Sequence, residues 1–542
     1  MNSSYWLKRH SAKHYPALDH DEHVHTLIIG GGFTGLASAY ELSAHTKQII
    51  IAEADEIGFG SSGRNTGKVT FQHGCVYHKI IKSHGQAAAK AYYQAQQEAI
   101  DTIVSLIDTF GIQCHKETKM ACVFANEPKG VKEIQAEYEA YQTLGIPGEY
   151  EEALDHPIKM KAALKVYDQI GLDPYAYLLG LSDILDQADI PIYEHSRATD
   201  IVKAGSGWRV LINGHHVYAQ NIVCATMTPL LDAFTFFYAK TYPSVSHLAL
   251  LECDHSLQNT MLYGMDDPMV SYHALNERQL LCGGYEHLSA QMDVEDQTAW
   301  ITQLCQKWQA TTPQSVWDTQ DLIAHDHLPL IGSLTPRYPD FYIACGYSKW
   351  GNTQSHVAAK IIADAIAHRE NRYSALFSPS RLEPLLQAKA LRMNAHSVAH
   401  FVTSQFPQLE DFTIERGKGK CVELDQRLYG MYCDEQDEVY IVDIRCPHMG
   451  CICDFNEVDR TWDCPCHGSR FSYTGDIIKG PAQVALATYH SAEYNHVDPH
   501  ELSKKWIKLC RNRNFFHIGN RSDSTGSYQY LPDGQGYNKV RC

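Results

Sequence analysis

The stretch Thr26-Leu27-Ile28-Ile29-Gly30-Gly31-Gly32-Phe33-Thr34-Gly35-Leu36-Ala37-Ser38-Ala39-Tyr40-Glu41-Leu42 decides the fold of the first half of this chain. An apolar run opens into glycine, and the residues beyond Gly35 carry apolar side chains at helical spacing. The predicted order is strand, turn, helix. The turn reads G-x-G-x-x-G through Gly30, Gly32 and Gly35. Glycine there permits a tight turn, close approach of backbone to a pyrophosphate, and close packing of helix on strand. Amide N–H groups at the helix start, from Phe33 and Thr34 onward, are placed to meet phosphate charge. A second apolar run, Ile49-Ile50-Ile51-Ala52, ends in Glu53, placed to accept from a ribose hydroxyl. The motif alone is weak, and a glycine turn in an unrelated α/β sheet is the alternative. Strand, helix and acid in this order favour a dinucleotide site.

Beyond Glu53 the chain reads Ile57-Gly58-Phe59-Gly60-Ser61-Ser62-Gly63-Arg64-Asn65-Thr66-Gly67-Lys68. A second loop of small residues lets backbone approach a ligand larger than NAD requires. Here the sequence resembles the FAD-dependent oxidoreductases of the D-amino-acid oxidase and glycine oxidase superfamily. It is similar in style to the gamma-glutamylputrescine oxidoreductase type, with its G-F-G-x-S-G-R-N-x-G loop. The resemblance implies an α/β (α+β) fold, a Rossmann-type FAD-binding domain with an antiparallel substrate sheet. It also implies that Gly60, Ser61, Ser62, Arg64 and Asn65 run beside the pyrophosphate and the isoalloxazine ring. The segment Glu194–Val202 matches the strand that passes the adenine, with Ala198 where the family usually has Val. The buried run Ile222–Thr226 ends near the cofactor at Thr226. Gly346, and then Gly351, Asn352 and Thr353 at the start of a helix running to Ile366, match the last FAD segment. A helix N-terminus at that place stabilises negative charge on the flavin. Lys68, Tyr347 and Lys349 are the candidates for catalytic groups near the ring, with packing or surface roles as the alternative for each.

Elsewhere in this half, Gly85–Phe110 predicts a scaffold helix, and Trp208–Gly214 predicts a hairpin with an Asn-Gly turn. Residues 240–320 read as alternating strands followed by a helix. Ala367–Glu410 is polar, with Leu382, Leu385, Leu386 and Leu391 near helical spacing, and reads as a connector.

The far end of the chain holds a second pattern. Cys446-Pro447-His448-Met449-Gly450-Cys451 is followed, with fifteen residues between His448 and Cys464, by Cys464-Pro465-Cys466-His467-Gly468-Ser469. Two thiolates on one iron and two neutral imidazoles on the other is the ligand set of a Rieske [2Fe–2S] centre. The same four residues suit zinc. A zinc site, however, has no need of the second cysteine in each half, of the glycines, or of Ser469. By resemblance to the families with this box, Cys446 and Cys464 bind one iron, and His448 and His467 the other. Cys451 and Cys466 correspond to a disulfide between the two loops. Ser469 corresponds to a hydroxyl that bonds a bridging sulfide. The usual Tyr two residues later is Phe471 here, which removes one hydrogen bond to a cluster ligand.

The 542 residues exceed one hydrophobic core, so about two or three domains are expected. The reading divides them into an FAD-dependent oxidoreductase (1–370), a helical connector (371–411), a small all-β Rieske domain (412–490) and a polar tail (491–542). A net charge of −17 argues against a nucleic-acid binder or a protein held on anionic lipid. No run of about 18 apolar residues appears, and the first 25 residues lack a signal-peptide core. The seventeen cysteines are mostly scattered singly, unlike a secreted disulfide framework. A cytoplasmic protein is expected, with a small amine or amino-acid substrate and an external electron acceptor as partners. The cofactors expected are FAD and a Rieske [2Fe–2S] cluster. The alternatives are a reductase component feeding an oxygenase and a non-catalytic redox-sensing protein. Glu493, His496 and His500 have the spacing of an iron triad, which reads as a chance match.

Overall fold

The computed structural model describes residues 3–489 except 12, 156–157, 232–236, 255, 289–293, 389, 395–413, 425–426, 437 and 458. The tail, its Glu493–His496–His500 pattern and the start of the Rieske segment at Phe412 lie outside the described residues.

Strand Glu22–Ile29 sits at the centre of the first sheet. It runs parallel to Ile49–Ala52, with Thr26 opposite Ile49 and Ile29 opposite Ala52, and parallel to His215–Cys224 on its other side. Ile192–Tyr193 and Tyr338–Cys345 extend the parallel core, and Leu330–Thr335 adds an antiparallel edge. Parallel strands are covered by helices on both faces and so must be apolar on both. This is why Leu27 to Ile29 and Ile49 to Ala52 are unbroken apolar runs, and all of them are buried. Helix Phe33–Ser43 packs between Pro174–Gln187 and Gly351–Ile366 on one face. The hairpin from Gly207–Ile212 to His215–Cys224 turns at Asn213 and Gly214, both with positive φ, as the Asn-Gly pair predicts.

The second sheet has nine strands, in the order Ala310–Ala324, Thr241–Cys253, Gln279–Leu288, Val270–Ala274, Thr260–Gly264, Glu117–Ala125, Lys159–Gly171 and Lys68–Val69, with Glu149–Asp155 paired to Lys159–Gly171. It is antiparallel, as expected, except where Thr260–Gly264 lies parallel to Glu117–Ala125. Those two strands are joined by a long crossover, which allows parallel pairing where a short turn does not.

The C-terminal part is built from two four-stranded antiparallel sheets. One contains Gly419–Leu424, Arg427–Cys433, Val439–Val442 and Thr488–Tyr489; the other contains Asp454–Asn456, Thr461–Asp463, Arg470–Ser472 and Ile477–Lys479. Between the two parts, the described residues of the expected connector form short helices Ser374–Phe377 and Glu383–Leu386, with Leu382, Leu386 and Leu391 exposed. Each exposed leucine forgoes about 1.5–3 kcal/mol of burial. A polar anchor holds the segment down: Arg381 Nε donates to Asp326 Oδ2 at 2.7 Å and its Nη2 to Oδ1 at 3.1 Å.

The glycine turn generates a direct test. A Cβ on Gly35 would stand 1.9 Å from the Gly30 carbonyl oxygen, a backbone atom that cannot step aside. Gly35→Ala is therefore expected to abolish flavin retention and to lower the thermal midpoint of the first half, while the cluster's EPR signal survives. A variant that keeps a full complement of flavin would place the pyrophosphate elsewhere.

Candidate active site and cluster site

The dinucleotide end is assembled by backbone. Gly30, at φ +116°, has the Ala225 carbonyl oxygen 2.8 Å from where a Cβ would be, which puts Thr226 beside the turn. The Thr226 hydroxyl donates to Thr228 O at 2.6 Å. Glu53 is half-buried. Its Oε2 accepts from Gly31 N at 2.6 Å and its Oε1 from Asp55 N at 2.9 Å, and burial pushes its carboxyl up. The second loop closes over the first: Ser62 Oγ accepts from Phe33 N at 3.1 Å, at the start of the helix. Ala198 opens strand Ala198–Ala204 opposite Ile212. The glycine turn, backed by the side chains of Glu53 and Ser62, fits a dinucleotide whose phosphates lie at the start of the helix.

Toward the other end of the loop, Asn65 and Asn352 join the two segments assigned to the ring. Asn65 Oδ1 accepts from Gly67 N at 2.8 Å, and Asn352 Nδ2 donates to Asn65 Oδ1 at 3.2 Å and to Lys68 O at 2.8 Å. Helix Gly351–Ile366 begins here with no side-chain cap, and Thr353 Oγ1 lies 3.2 Å from His73 Nε2. His73 also stacks on Trp350, with ring centroids 4.8 Å apart. Just before the helix, Ser348 and Lys349 both hold positive φ, at 51° and 74°. Two consecutive non-glycine residues in that region store strain of order 1–3 kcal/mol each, as functional turns do. Gly346 precedes them at φ +75°.

The three candidate catalytic groups separate by environment. Tyr347 is half-buried, and its hydroxyl lies 2.8 Å from Thr34 Oγ1, so it ties the last segment to the glycine helix. Lys349 Nζ is 2.7 Å from Glu286 Oε2 and donates to Ser246 Oγ at 2.9 Å. Lys68 donates to Leu262 O at 2.8 Å and to Ser271 Oγ at 2.7 Å, both uncharged, and burial lowers its ammonium to about 7. Arg64 turns inward, with Nε donating to Phe59 O at 2.9 Å and its charge within reach of Asp318 and Asp459.

At the cluster site the two loops meet as their spacing implied. Cys446 N donates to Cys451 O at 2.8 Å, and Cys464 N donates to Ser469 O at 2.7 Å, so each loop closes on itself. Cys451 and Cys466 form the disulfide between the loops. The imidazoles of His448 and His467 lie with ring centroids 5.0 Å apart. Both nitrogens of His448 and Nδ1 of His467 are buried without a hydrogen-bond partner. Burial lowers both histidines, His467 to about 4, which keeps them neutral as ligands must be. Orphaned neutral imidazoles beside paired thiols fit a [2Fe–2S] cluster held by two cysteines and two histidines. Ser469 is buried beside Cys446 and accepts from Ala482 N at 3.0 Å.

Several residues here were missed by the sequence reading. Cys453, buried, brings a third thiol within 4.8 Å of those of Cys446 and Cys464; the visible signal was a cysteine two residues after Cys451. Tyr238, from the flavin half, sets its ring against His467 at 4.8 Å between centroids. Arg470, directly after Ser469, is fully buried and reaches three carboxylates: Asp463 at 3.0 Å, Asp459 at 2.6 Å and, from the second sheet, Asp318 at 2.7 Å. Burial pushes Asp318 up, but Arg470 and Lys479 more than offset this and hold it well below the carboxylate range. Lys479 is itself lowered by burial to about 8.

Comparison with known proteins covers both parts. The FAD dependent oxidoreductase (DAO) family matches residues 25–365, and the Rieske [2Fe-2S] domain matches 406–490. A Bacillus subtilis protein, YhfW, described as a Rieske 2Fe-2S iron-sulfur protein, is 33% identical over 88% of this chain and 96% of its own length. The gamma-glutamylputrescine oxidoreductase of Escherichia coli is 24% identical over 64% of this chain and 84% of its own. The crystal structure of glycine oxidase from Geobacillus kaustophilus shares the fold with a TM-score of 0.58 at 18% identity, over 67% of this chain and 99% of that one.

Phe471 is fully buried and packs in one cluster with Cys446, Cys464 and Cys466. A hydroxyl placed there can donate toward the cluster, and donors to sulfur stabilise the reduced, more negative state. Phe471→Tyr is expected to raise the potential by roughly tens of millivolts, where about 59 mV is a tenfold change for one electron. An EPR-monitored titration showing an unchanged or lower potential would mean that residue 471 faces away.

Proposed function

This chain belongs to the family of FAD dependent oxidoreductases and carries a Rieske [2Fe–2S] domain, and from that premise we propose that it oxidises a small amine or amino acid and releases the electrons singly to an external acceptor. When bound, FAD takes a hydride from carbon and the cluster moves single electrons, chemistry that the cofactors supply and the protein orients. On the substrate, the C–H bond breaks with its electron pair leaving as hydride, and the nitrogen lone pair forms the C=N bond of an imine. Both electrons of that pair then leave as two single electrons. The names of the relatives, a gamma-glutamylputrescine oxidoreductase and a glycine oxidase, support an amine or amino-acid substrate.

An amine reaches neutral water as its ammonium, whose nitrogen has no lone pair to offer. Lys68 supports a way to take that proton. Its amine lies between the flavin loop and the second sheet, hydrogen-bonded only to Leu262 O and Ser271 Oγ among the described partners, and burial brings it to about 7. A neutral Lys68 accepts the proton; Ser271 and Leu262 O hold the resulting ammonium. Lys349 serves differently, as a fixed partner of Glu286 that keeps the strained turn in place.

The observation that carries the reading is the position of the two donor sets, on either side of the strand Ala310–Ala324. Gln320 O accepts from Ser61 Oγ of the flavin loop at 2.6 Å, and Gln320 Nε2 donates to Gly468 O of the cluster loop at 3.0 Å. The experiment is anaerobic mixing of the holoprotein with a panel of primary and secondary amines and amino acids, reading loss of the flavin's visible band. At least one class is expected to bleach it. Bleaching by a reduced nicotinamide and by no amine would establish the reductase reading instead.

The pH profile follows from Lys68. A lysine lowered to about 7 is protonated below that pH and free above it, so kcat/KM is expected to rise through about pH 7. In Lys68→Met that limb should disappear and kcat/KM fall by about tenfold or more, the range of one general base. An unchanged limb would assign the proton transfer to another group.

A further inference from the structure

We propose that the histidine edge of the cluster site is docked in one fixed orientation on the flavin half of the same chain, and that electrons cross there over a single shared strand. The strand is Ala310–Ala324. On its flavin side it holds the loop twice, through Ser61 Oγ on Gln320 O at 2.6 Å and through Trp317 Nε1 on Arg64 O at 2.9 Å. On its other side it holds the cluster loop twice, through Gln320 Nε2 on Gly468 O at 3.0 Å and through Asp318 on Arg470 Nη1 at 2.7 Å. One residue, Gln320, is thus bonded to both loops.

Gly468 directly follows His467. A Cβ at Gly468 would stand 2.5 Å from Pro243 Cβ and 2.8 Å from Gln320 Nε2, so glycine is what lets the ligand loop come this close. Tyr238 covers the same edge, its ring centroid 4.8 Å from that of His467 and 6.1 Å from that of His448. A bidentate or multiple ion pair fixes geometry more than it adds stability. Arg470, held by Asp459 and Asp463 of its own domain and by Asp318 across the boundary, fixes the orientation in that sense. Electron tunnelling weakens steeply with distance and is carried better by bonded and packed atoms than across solvent. The histidine edge of this cluster site is therefore supplied from within the chain, and Gln320 and Asp318 are positioning residues for that transfer.

The inference rests on the oxidative reading only for the natural source of electrons, so its test uses no substrate. Full-length protein holding both cofactors is illuminated anaerobically with EDTA, a sacrificial tertiary amine that reduces the flavin. Appearance of the reduced cluster is followed by absorbance and EPR. Each event takes one electron from the flavin and places it on the ferric pair. The expected rate is first order and independent of protein concentration. Gln320→Leu and Asp318→Asn are expected to slow it by about tenfold or more, equivalent to about 1.4 kcal/mol on the barrier, with flavin content and the cluster's EPR line shape retained. Hydrogen exchange of wild-type protein gives a second reading, with amides of residues 466–470 expected to exchange far more slowly than those of His448 and Met449. A rate proportional to protein concentration, wild-type rates in both variants, or fast exchange at 466–470 would each overturn the docking. Should the variants lose a cofactor, the concentration and exchange measurements on the wild type still decide. A failed amine panel with fast light-driven transfer would sink only the substrate reading.

Discussion

A guanidinium taken out of water has to be met by charge inside the protein, and Arg470 is met by three carboxylates. Removing one partner of such a buried set costs about 3–5 kcal/mol, because a charge is left stranded. That is comparable to the whole stability of a small domain. Two of the carboxylates, Asp459 and Asp463, belong to the cluster domain, while Asp318 belongs to the edge strand of the second sheet. Docking is thereby pinned at one point, and the neighbouring contacts follow from it: Gly468 against Pro243, Gln320 against Gly468, Tyr238 against His467. The flavin loop is drawn into the same arrangement, since Arg64 feels both Asp318 and Asp459.

The parts of this protein that could be read from sequence are those whose chemistry is local. A turn that brings backbone against a phosphate demands glycine at fixed offsets, so Gly30, Gly32 and Gly35 announce themselves and the structure finds the Gly30 carbonyl where a larger residue at 35 would collide. The candidate cluster ligands come in short Cys-x-His and Cys-x-x-His spacings because each loop must present two donors from one turn, and the structure brings the two loops together with the disulfide between them. The connector shows the opposite case. Leucine spacing pointed to a helical connector, but what anchors the segment is Arg381 on Asp326, and Leu382, Leu386 and Leu391 are exposed.

The interface was not legible because its residues are far apart in the chain and are charged. Arg64, Asp318 and Arg470 each look, one at a time, like ordinary surface residues. Only the fold reveals that all three are buried, with Arg470 paired to Asp318. The same limit applied to the two candidate lysines. In sequence Lys68 and Lys349 are equivalent, and their partners separate them: uncharged oxygens for Lys68, the Glu286 carboxylate for Lys349. Burial without a counter-charge is what leaves an amine unprotonated, and so free to accept a proton, near neutral pH.

A pair of electrons that enters as hydride and leaves singly through the cluster requires the cluster to sit downhill of the flavin. Redox titration of the full-length holoprotein, following the flavin by visible absorbance and the cluster by EPR, gives both potentials in one experiment. Rieske centres span roughly −150 to +300 mV, and the cluster is predicted to lie within that span and above the flavin's two-electron potential. A cluster potential well below that of the flavin would reverse the flow and contradict the oxidative account.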